Sequence, residues 1–265
     1  MELFRLHRGA SPLLVSMPHV GTYLPPELSA RMTDAALVLA DTDWHVDRLY
    51  DFLDGLGASV LCPTHSRYVV DLNRPPDGAN LYPGQDTTAL VPLDTFAREP
   101  LYRPGEAPDE REIAGRVSQY WRPYHDALQG ELERIRGAHG YALLWDAHSI
   151  ASELPRFFSG RLPDLNFGTA SGASCAPAIE AAVFEEGRRA AGYSAVLNGR
   201  FKGGYITRAY GNPKQRVHAM QLELSQRTYM NEPPPFGFRE DLAGRLRPVL
   251  QRLLETFLRT ATASG

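Results

Sequence analysis

Two histidines in this chain follow short apolar runs: Leu13-Leu14-Val15-Ser16-Met17 leads into Pro18-His19, and Tyr141-Ala142-Leu143-Leu144-Trp145 stops in Asp146-Ala147-His148-Ser149. Short apolar runs read as buried strands, and open α/β sheets hold ligands beyond the carboxyl ends of their strands. Two strands that each deliver an imidazole to that edge point to one shared metal ion. Catalytic zinc takes three protein ligands drawn from His, Asp and Glu and keeps a fourth position for water. The third ligand is sought among Asp41, Asp43 and Asp47. Asp43 is preferred because Asp47, one helical turn later, would share its face and support it from outside the ligand set. Asp146 stands two positions before His148 and either accepts that imidazole's second N–H or caps the next turn.

Hydrolysis at such a metal also needs a carboxylate that moves protons. Glu223 fits, because Gln221-Leu222-Glu223-Leu224-Ser225 sets an acid inside an apolar strand, where an unpaired carboxylate is costly. A buried salt bridge is the competing explanation. Arg67, Arg74, Lys202 and Arg208 lie in apolar or turn contexts, and as a set they imply a small anionic substrate, since guanidinium forks match carboxylates.

The elements that must position these residues alternate between strand and helix. After the first strand, Thr33-Asp34 starts a predicted long helix that ends near Gly55 and Gly57 and carries Asp41, Asp43, His45 and Asp47. Strands are expected over residues 58–62 and 67–72, the second running into Asn73-Arg74-Pro75. Residues 75–108 are rich in Pro and Gly and read as an irregular excursion of the kind used for lids and binding loops. A helix over 109–137 is well signalled by acids in its first turn and arginines in its last, with a kink expected at Pro123. Then come a strand over 141–145, a loop over 149–172, a helix over 176–190, a strand over 194–197, a glycine-rich segment over 199–211 too polar for core, a strand over 217–224 and a closing helix over 239–260. This alternation predicts an α/β fold in one domain spanning 1–265.

Composition excludes several classes. At 265 residues with 43% hydrophobic content the chain can bury a substantial core. A net charge of −3 gives no electrostatic footprint for nucleic acid or an anionic membrane. Cys62 and Cys175 are too few for a disulfide framework or a thiolate zinc site, so a metal falls to His and carboxylate, though Cys175 could line the site by position. No apolar run is long enough to span a bilayer, and residues 1–10 carry Glu2, Arg5 and Arg8 where a signal peptide would have its apolar core. The expectation is a cytoplasmic protein of unassigned oligomeric state.

Taken in order and spacing, seven segments closely resemble the N-formylglutamate amidohydrolase (N-formylglutamate deformylase) family of histidine degradation. They are Ser16-Met17-Pro18-His19-Val20-Gly21, Asp41-Thr42-Asp43-Trp44 with Asp47, Arg67-Tyr68-Val69-Val70-Asp71-Leu72-Asn73-Arg74-Pro75, Trp145-Asp146-Ala147-His148-Ser149, Leu162-Pro163-Asp164-Leu165-Asn166-Phe167-Gly168-Thr169, Lys202-Gly203-Gly204-Tyr205-Ile206-Thr207 and Gln221-Leu222-Glu223-Leu224. The resemblance implies a mixed β-sheet flanked by helices, similar to zinc carboxypeptidase and phosphorylase/hydrolase-like folds. It implies His19, Asp43 and His148 as ligands of a divalent metal, with Zn2+ the first expectation, and Glu223 as the acid/base. Asn73-Arg74 is similar to the Asn-Arg pair with which zinc carboxypeptidases hold a substrate carboxylate, Arg67 would be a second clamp or stabilise an oxyanion, and Lys202, Thr207 and Arg208 complete the substrate set. The implied reaction is hydrolysis of N-formyl-L-glutamate to L-glutamate and formate. Two rivals stand beside it: a zinc amidohydrolase for another N-acyl amino acid or peptide-like amide, and a non-catalytic dicarboxylate-binding protein, which would have no use for Glu223 beside two histidines. His and carboxylate ligands also suit Mn, Fe, Co or Ni, and His45, His65 and His218 carry no assigned role.

Overall fold

Alternate residues of the central strands face two different cores. Leu13, Val15, Leu143 and Trp145 belong to one, with Ile179, Val183, Leu250, Leu253 and Phe257, whereas Leu14, Ala142 and Leu144 belong to the other, with Tyr124, Leu128, Leu132 and Ile135. A period of two buried on both faces requires helices on both sides of the sheet. The computed structural model, which describes residues 2–81 and 84–263, has that arrangement.

Seven strands form one sheet: β1 Phe4–His7, β2 Leu13–Ser16, β3 Ser59–Pro63, β4 Ala142–Ile150, β5 Leu165–Gly168, β6 Ala195–Leu197 and β7 Val217–Ser225. Their order is β1-β3-β2-β4-β7-β5-β6. The β2–β3, β2–β4, β4–β7 and β5–β6 pairs are parallel, and β1–β3 and β5–β7 are antiparallel, so the sheet is mixed as expected. The helices are α1 Pro26–Ser29, α2 Asp34–Leu37, α3 Val46–Leu49, α4 Glu110–Arg116, α5 Arg122–His139, α6 Pro177–Arg188, α7 Tyr205–Tyr210 and α8 Glu240–Ala263. Helix α5 covers one face; α6 and α8 cover the other. Among the described residues no helix is long and apolar enough to cross a membrane.

Several expectations need correction. The strand expected over 141–145 continues as β4 through Asp146, His148 and Ser149 to Ile150, because β7 pairs with it over its whole length, from Ala142↔Val217 to Ile150↔Ser225. His148 therefore lies within a strand. The long helix expected over 33–57 is broken into α2, α3 and a 3₁₀ turn at Asp54–Leu56. Leu39 and His45 adopt left-handed backbone with φ of 55° and 64°, a conformation that ends right-handed helix. The break lets the Asp43 N–H donate to His19 O at 3.0 Å. Residues 67–72 form turns despite Val69 and Val70, since the chain coils around the Asp71 carboxylate, which accepts from the Asn73 N–H at 2.8 Å and from Arg67 at 2.5 Å.

Strand β1 was not anticipated, and β5 falls inside the expected 149–172 loop. The glycine-rich segment is not purely surface: it contains α7, whose Ile206 and Thr207 are buried. Gly204 is required there, since a Cβ would come within 2.4 Å of Asn73 Nδ2. The helix over 109–137 is realised as α4 and α5 joined by a π turn at Val117–Trp121, directly before the helix-breaking Pro123. The excursion carries neither helix nor extended strand among its described residues, and 82–83 lie outside them.

His125 on α5 ties this helix to the segment that leads to Asn73. Its Nε2–H donates to Leu72 O at 2.9 Å, and Nδ1 accepts from the Tyr210 hydroxyl at 2.9 Å. Burial pushes its pKa down from 6.5 to about 4, against a smaller upward pull from the Leu72 bond. In the unfolded chain the imidazole takes up a proton below about pH 6.5. The folded state resists that until about pH 4, so stability is unaffected above pH 6.5 and falls as pH drops between these values. The gap corresponds to roughly 3 kcal/mol. Denaturant unfolding across this range should show the loss, and His125→Gln should flatten its slope; an unchanged slope would remove His125 as a cause.

Candidate metal centre and active site

His19 follows β2, Asp43 sits in the break before α3, and His148 lies on β4; they are 4%, 1% and 3% exposed. Their ligand atoms all lie within 4.8 Å of one another. Asp43 Oδ2 is 3.0 Å from His148 Nδ1 and 3.7 Å from His19 Nδ1. Each imidazole turns its other nitrogen to a fully buried carboxylate: His19 Nε2 is 2.8 Å from Asp71 Oδ1, and His148 Nε2 is 3.1 Å from Asp146 Oδ2. An Nε2–H donated to each carboxylate leaves both Nδ1 lone pairs aimed at the same point as Asp43, the arrangement by which metal-binding imidazoles are oriented.

The geometry separates Asp43 from its alternatives. The Asp41 carboxylate accepts the Phe96 N–H at 2.9 Å, and burial pushes its pKa up to about 6. Asp47 is exposed, caps the Arg48 N–H and lies 3.9 Å from Arg5, so the support expected from it is not realised: the helix that would have aligned it with Asp43 is broken.

The donor set fits a divalent cation. Asp43, Asp71, Asp146 and Glu223 are all buried beside two imidazoles, with Arg67 the buried guanidinium among them. This excess of carboxylate calls for positive charge. Burial disfavours the charged form of His148, yet Asp146 and Asp43 overcome it and hold its pKa well above the usual value. Burial likewise works against ionised Asp43, but hydrogen bonds to His148 and His19 keep its carboxyl well below the usual range.

Glu223 stands opposite His148 in the parallel β4–β7 ladder. Burial, with Asp43 and Asp146 nearby, pushes its pKa up to about 8 despite the opposing pull of His148 and Arg67. Gln221 Nε2 donates to its Oε2 at 3.3 Å. Among the described residues no Lys or Arg forms a salt bridge with Glu223, which removes that competing explanation.

A cavity with about 590 Å³ of empty space opens over this group, lined also by Arg67, Asn73 and Arg74. Arg67 lies over the Phe96 ring at 4.8 Å and is paired with Asp71. Arg74 is held by Thr88 O at 3.1 Å, Thr88 Oγ1 at 3.2 Å and Asn73 O at 3.3 Å, none of them a carboxylate. The Asn73 amide is engaged elsewhere than expected for a clamp: Oδ1 accepts from the Ile206 N–H at 2.8 Å, and Nδ2 reaches Asp146 Oδ2 at 3.4 Å, 2.9 Å from His148 Nε2. Lys202, Thr207 and Arg208 are not among the lining residues. Thr207 donates to Asp146 Oδ2 from behind the site, and Arg208 Nε donates to Gly203 O. Arg200, Phe157 and Phe201 line the cavity without having been singled out, because an Arg-Phe pair in a glycine-rich turn reads as surface.

The remaining histidines stand apart from this cavity. His45 Nε2 meets Phe236 O at 2.7 Å, His65 packs on Tyr120 with ring centroids 5.0 Å apart, and His218 Nδ1 accepts from the Ala176 N–H. Cys175 is core rather than site, with its thiol pushed up to about 12 by burial.

A sequence profile for N-formylglutamate amidohydrolase matches residues 11–230. The chain belongs to the N-formylglutamate amidohydrolase family. It is 54% identical to an N-formylglutamate deformylase of Pseudomonas aeruginosa and 51% identical to one of Pseudomonas putida, each alignment covering 97% of this chain and 96% of the relative. In structure it is similar to an N-formylglutamate amidohydrolase from Ralstonia eutropha, with a TM-score of 0.81 at 25% identity over 99% of this chain and 98% of that one. An Agrobacterium tumefaciens gene product shares the fold at 18% identity, with a TM-score of 0.65 over 97% and 96% of the two chains.

Asp146 is one support of this amidohydrolase-family site, since His148, Asn73 and Thr207 all converge on its Oδ2. Asp146→Asn should weaken zinc binding roughly 10 to 100 fold. Titration of the metal-stripped protein measures this, and an unchanged affinity would show that His148 is held without it.

Proposed function

We propose that this chain hydrolyses the formamide of N-formyl-L-glutamate, releasing L-glutamate and formate, at a centre in which His19, Asp43 and His148 hold one divalent metal ion. Zinc suits two imidazoles and one carboxylate. The observation that carries the reading is the placement of a buried acid, Glu223, beside that triad in the cavity and opposite His148 on the neighbouring strand. A dicarboxylate-binding protein would gain nothing from such an acid. One sheet and the segments next to it supply every ligand, which supports treating 1–265 as one catalytic domain. Family membership supports assigning the reaction to histidine degradation.

When bound, the ion would supply Lewis acidity at the formyl oxygen and make water a better nucleophile. Everything else falls to the chain. Glu223 takes the proton of the attacking water and returns it to the departing amine, an exchange that a carboxyl raised by burial suits better than an ordinary one. Arg67, held in place by Asp71 and Phe96, donates to the oxyanion as the carbonyl carbon becomes tetrahedral. Arg74 holds a substrate carboxylate, its guanidinium oriented by Thr88 and in no salt bridge among the described residues. Asn73, committed to Asp146 and Ile206, positions His148 and Arg74 instead of clamping substrate.

Formate release from N-formyl-L-glutamate by purified protein tests the whole reading: chelation should abolish it and Zn2+ should restore it. Turnover that survives complete metal removal would refute the metal half. Glu223→Gln should lower kcat roughly 10² to 10⁴ fold with metal content unchanged. Loss of metal together with rate would assign Glu223 to holding the centre.

A further inference from the structure

The carbonyl carbon of a formamide bears an oxygen, the amide nitrogen and a hydrogen, and every longer acyl group has carbon in place of that hydrogen. At this centre the oxygen is met by Arg67, and the nitrogen leads toward the carboxylate held by Arg74. The third substituent is left with the uncharged part of the wall. Ile150 and Phe96 form that part beside the reacting groups: Ile150 stands two positions after His148 on β4 and shares its face, and the Phe96 ring lies 4.8 Å from the Arg67 guanidinium carbon.

Behind this wall is a second hollow with about 960 Å³ of empty space, given an apolar lining by Ala35, Val38, Leu154, Pro234 and Phe236. Phe96, Ser149 and Ile150 line both hollows and are therefore the partition between them. The acids of the second hollow face protein donors or solvent. Asp41 accepts the Phe96 N–H at 2.9 Å, Glu232 accepts the N–H groups of Ser152 at 2.6 Å and Arg227 at 3.0 Å, and Glu99 is exposed. What remains is space for an alkyl chain. Phe96 is pinned from several sides: besides the bond from its N–H to Asp41, the carbonyl of the preceding Thr95 accepts from Arg156 at 2.7 Å, and its ring meets the Phe157 ring edge-on with centroids 5.2 Å apart. Arg156 is itself anchored to Asp94 at 2.9 Å and Asp86 at 3.2 Å. A ring fixed through its backbone and its neighbours is costly to swing aside.

We propose that Phe96, backed by Ile150, is the specificity-determining residue that limits the acyl group to formyl, by closing the catalytic cavity against the apolar hollow behind it. The proposal rests on the N-formylglutamate reading and deepens it. Selection of this kind works by exclusion: a formyl hydrogen fits against the ring, whereas a longer chain has to displace it.

The test compares N-formyl-L-glutamate with N-butyryl-L-glutamate in the zinc-loaded enzyme. The wild type should strongly prefer formyl. Phe96→Ala should raise the butyryl-to-formyl ratio of kcat/KM roughly 10 to 100 fold, the size expected from burying three further carbons in apolar surroundings. Phe96→Leu, a milder change for folding, should raise it less, and Ile150→Ala should raise it while leaving the ring against Arg67 in place. General damage to the site lowers both substrates together and does not move the ratio. An unchanged ratio in Phe96→Ala and Ile150→Ala would overturn the proposal, as would wild-type turnover of the butyryl compound equal to that of the formyl one. Either result beside wild-type turnover of formylglutamate leaves the proposed reaction standing and removes this inference alone, whereas no turnover of formylglutamate refutes both.

Discussion

Carboxylates gathered in a protein interior repel one another and lose hydration, and they remain ionised only where cations or N–H donors face them. Asp43 and Asp71 meet this condition through the two imidazoles and Arg67, and Asp146 accepts from the second of those imidazoles. Much of the local architecture follows from it. The turn at 67–74 wraps around Asp71, the α2–α3 break brings Asp43 inward, and α7 backs Asp146 through Thr207. The two long central strands pair over nine residues and set His148 beside Glu223.

The apolar alternation of the central strands was legible in the sequence, as were α5, α6 and α8, because their signals are local. His19, His148 and Glu223 were legible for the same reason: polar chemistry stands out against an apolar run. The extent of β4 was not, since Asp146 and His148 read as the end of a strand until β7 is known to pair with them. Nor was the broken helix over 33–57, whose left-handed Leu39 and His45 answer to a contact with His19. The preference for Asp43 over Asp47 survives, although the helical argument first offered for it does not. Asn73 illustrates a different limit, since its type suited a clamp and nothing in the sequence points to its contacts with Ile206 and Asp146.

The cavity has two kinds of wall. Strands and the turns packed on them carry the triad, Glu223 and Arg67, the groups of the proposed chemistry, which depends on close alignment. Loops carry Arg200, Phe157 and Phe96, knitted together by Asp86 and Arg156. Loops on a fixed scaffold can change their residues without disturbing the frame, so the two walls are separable parts.

Gly204 marks where that separability ends. Its N–H donates to Gln221 Oε1 at 2.7 Å, and its α-carbon leaves no room for a methyl group against the Asn73 amide. Between the cavity-lining loop and the strand wall, position 204 is thus one at which an added Cβ has no room. Efforts to redesign the pocket for bulkier acyl groups have the loop side to work with, while a library that randomises position 204 would return the parent residue.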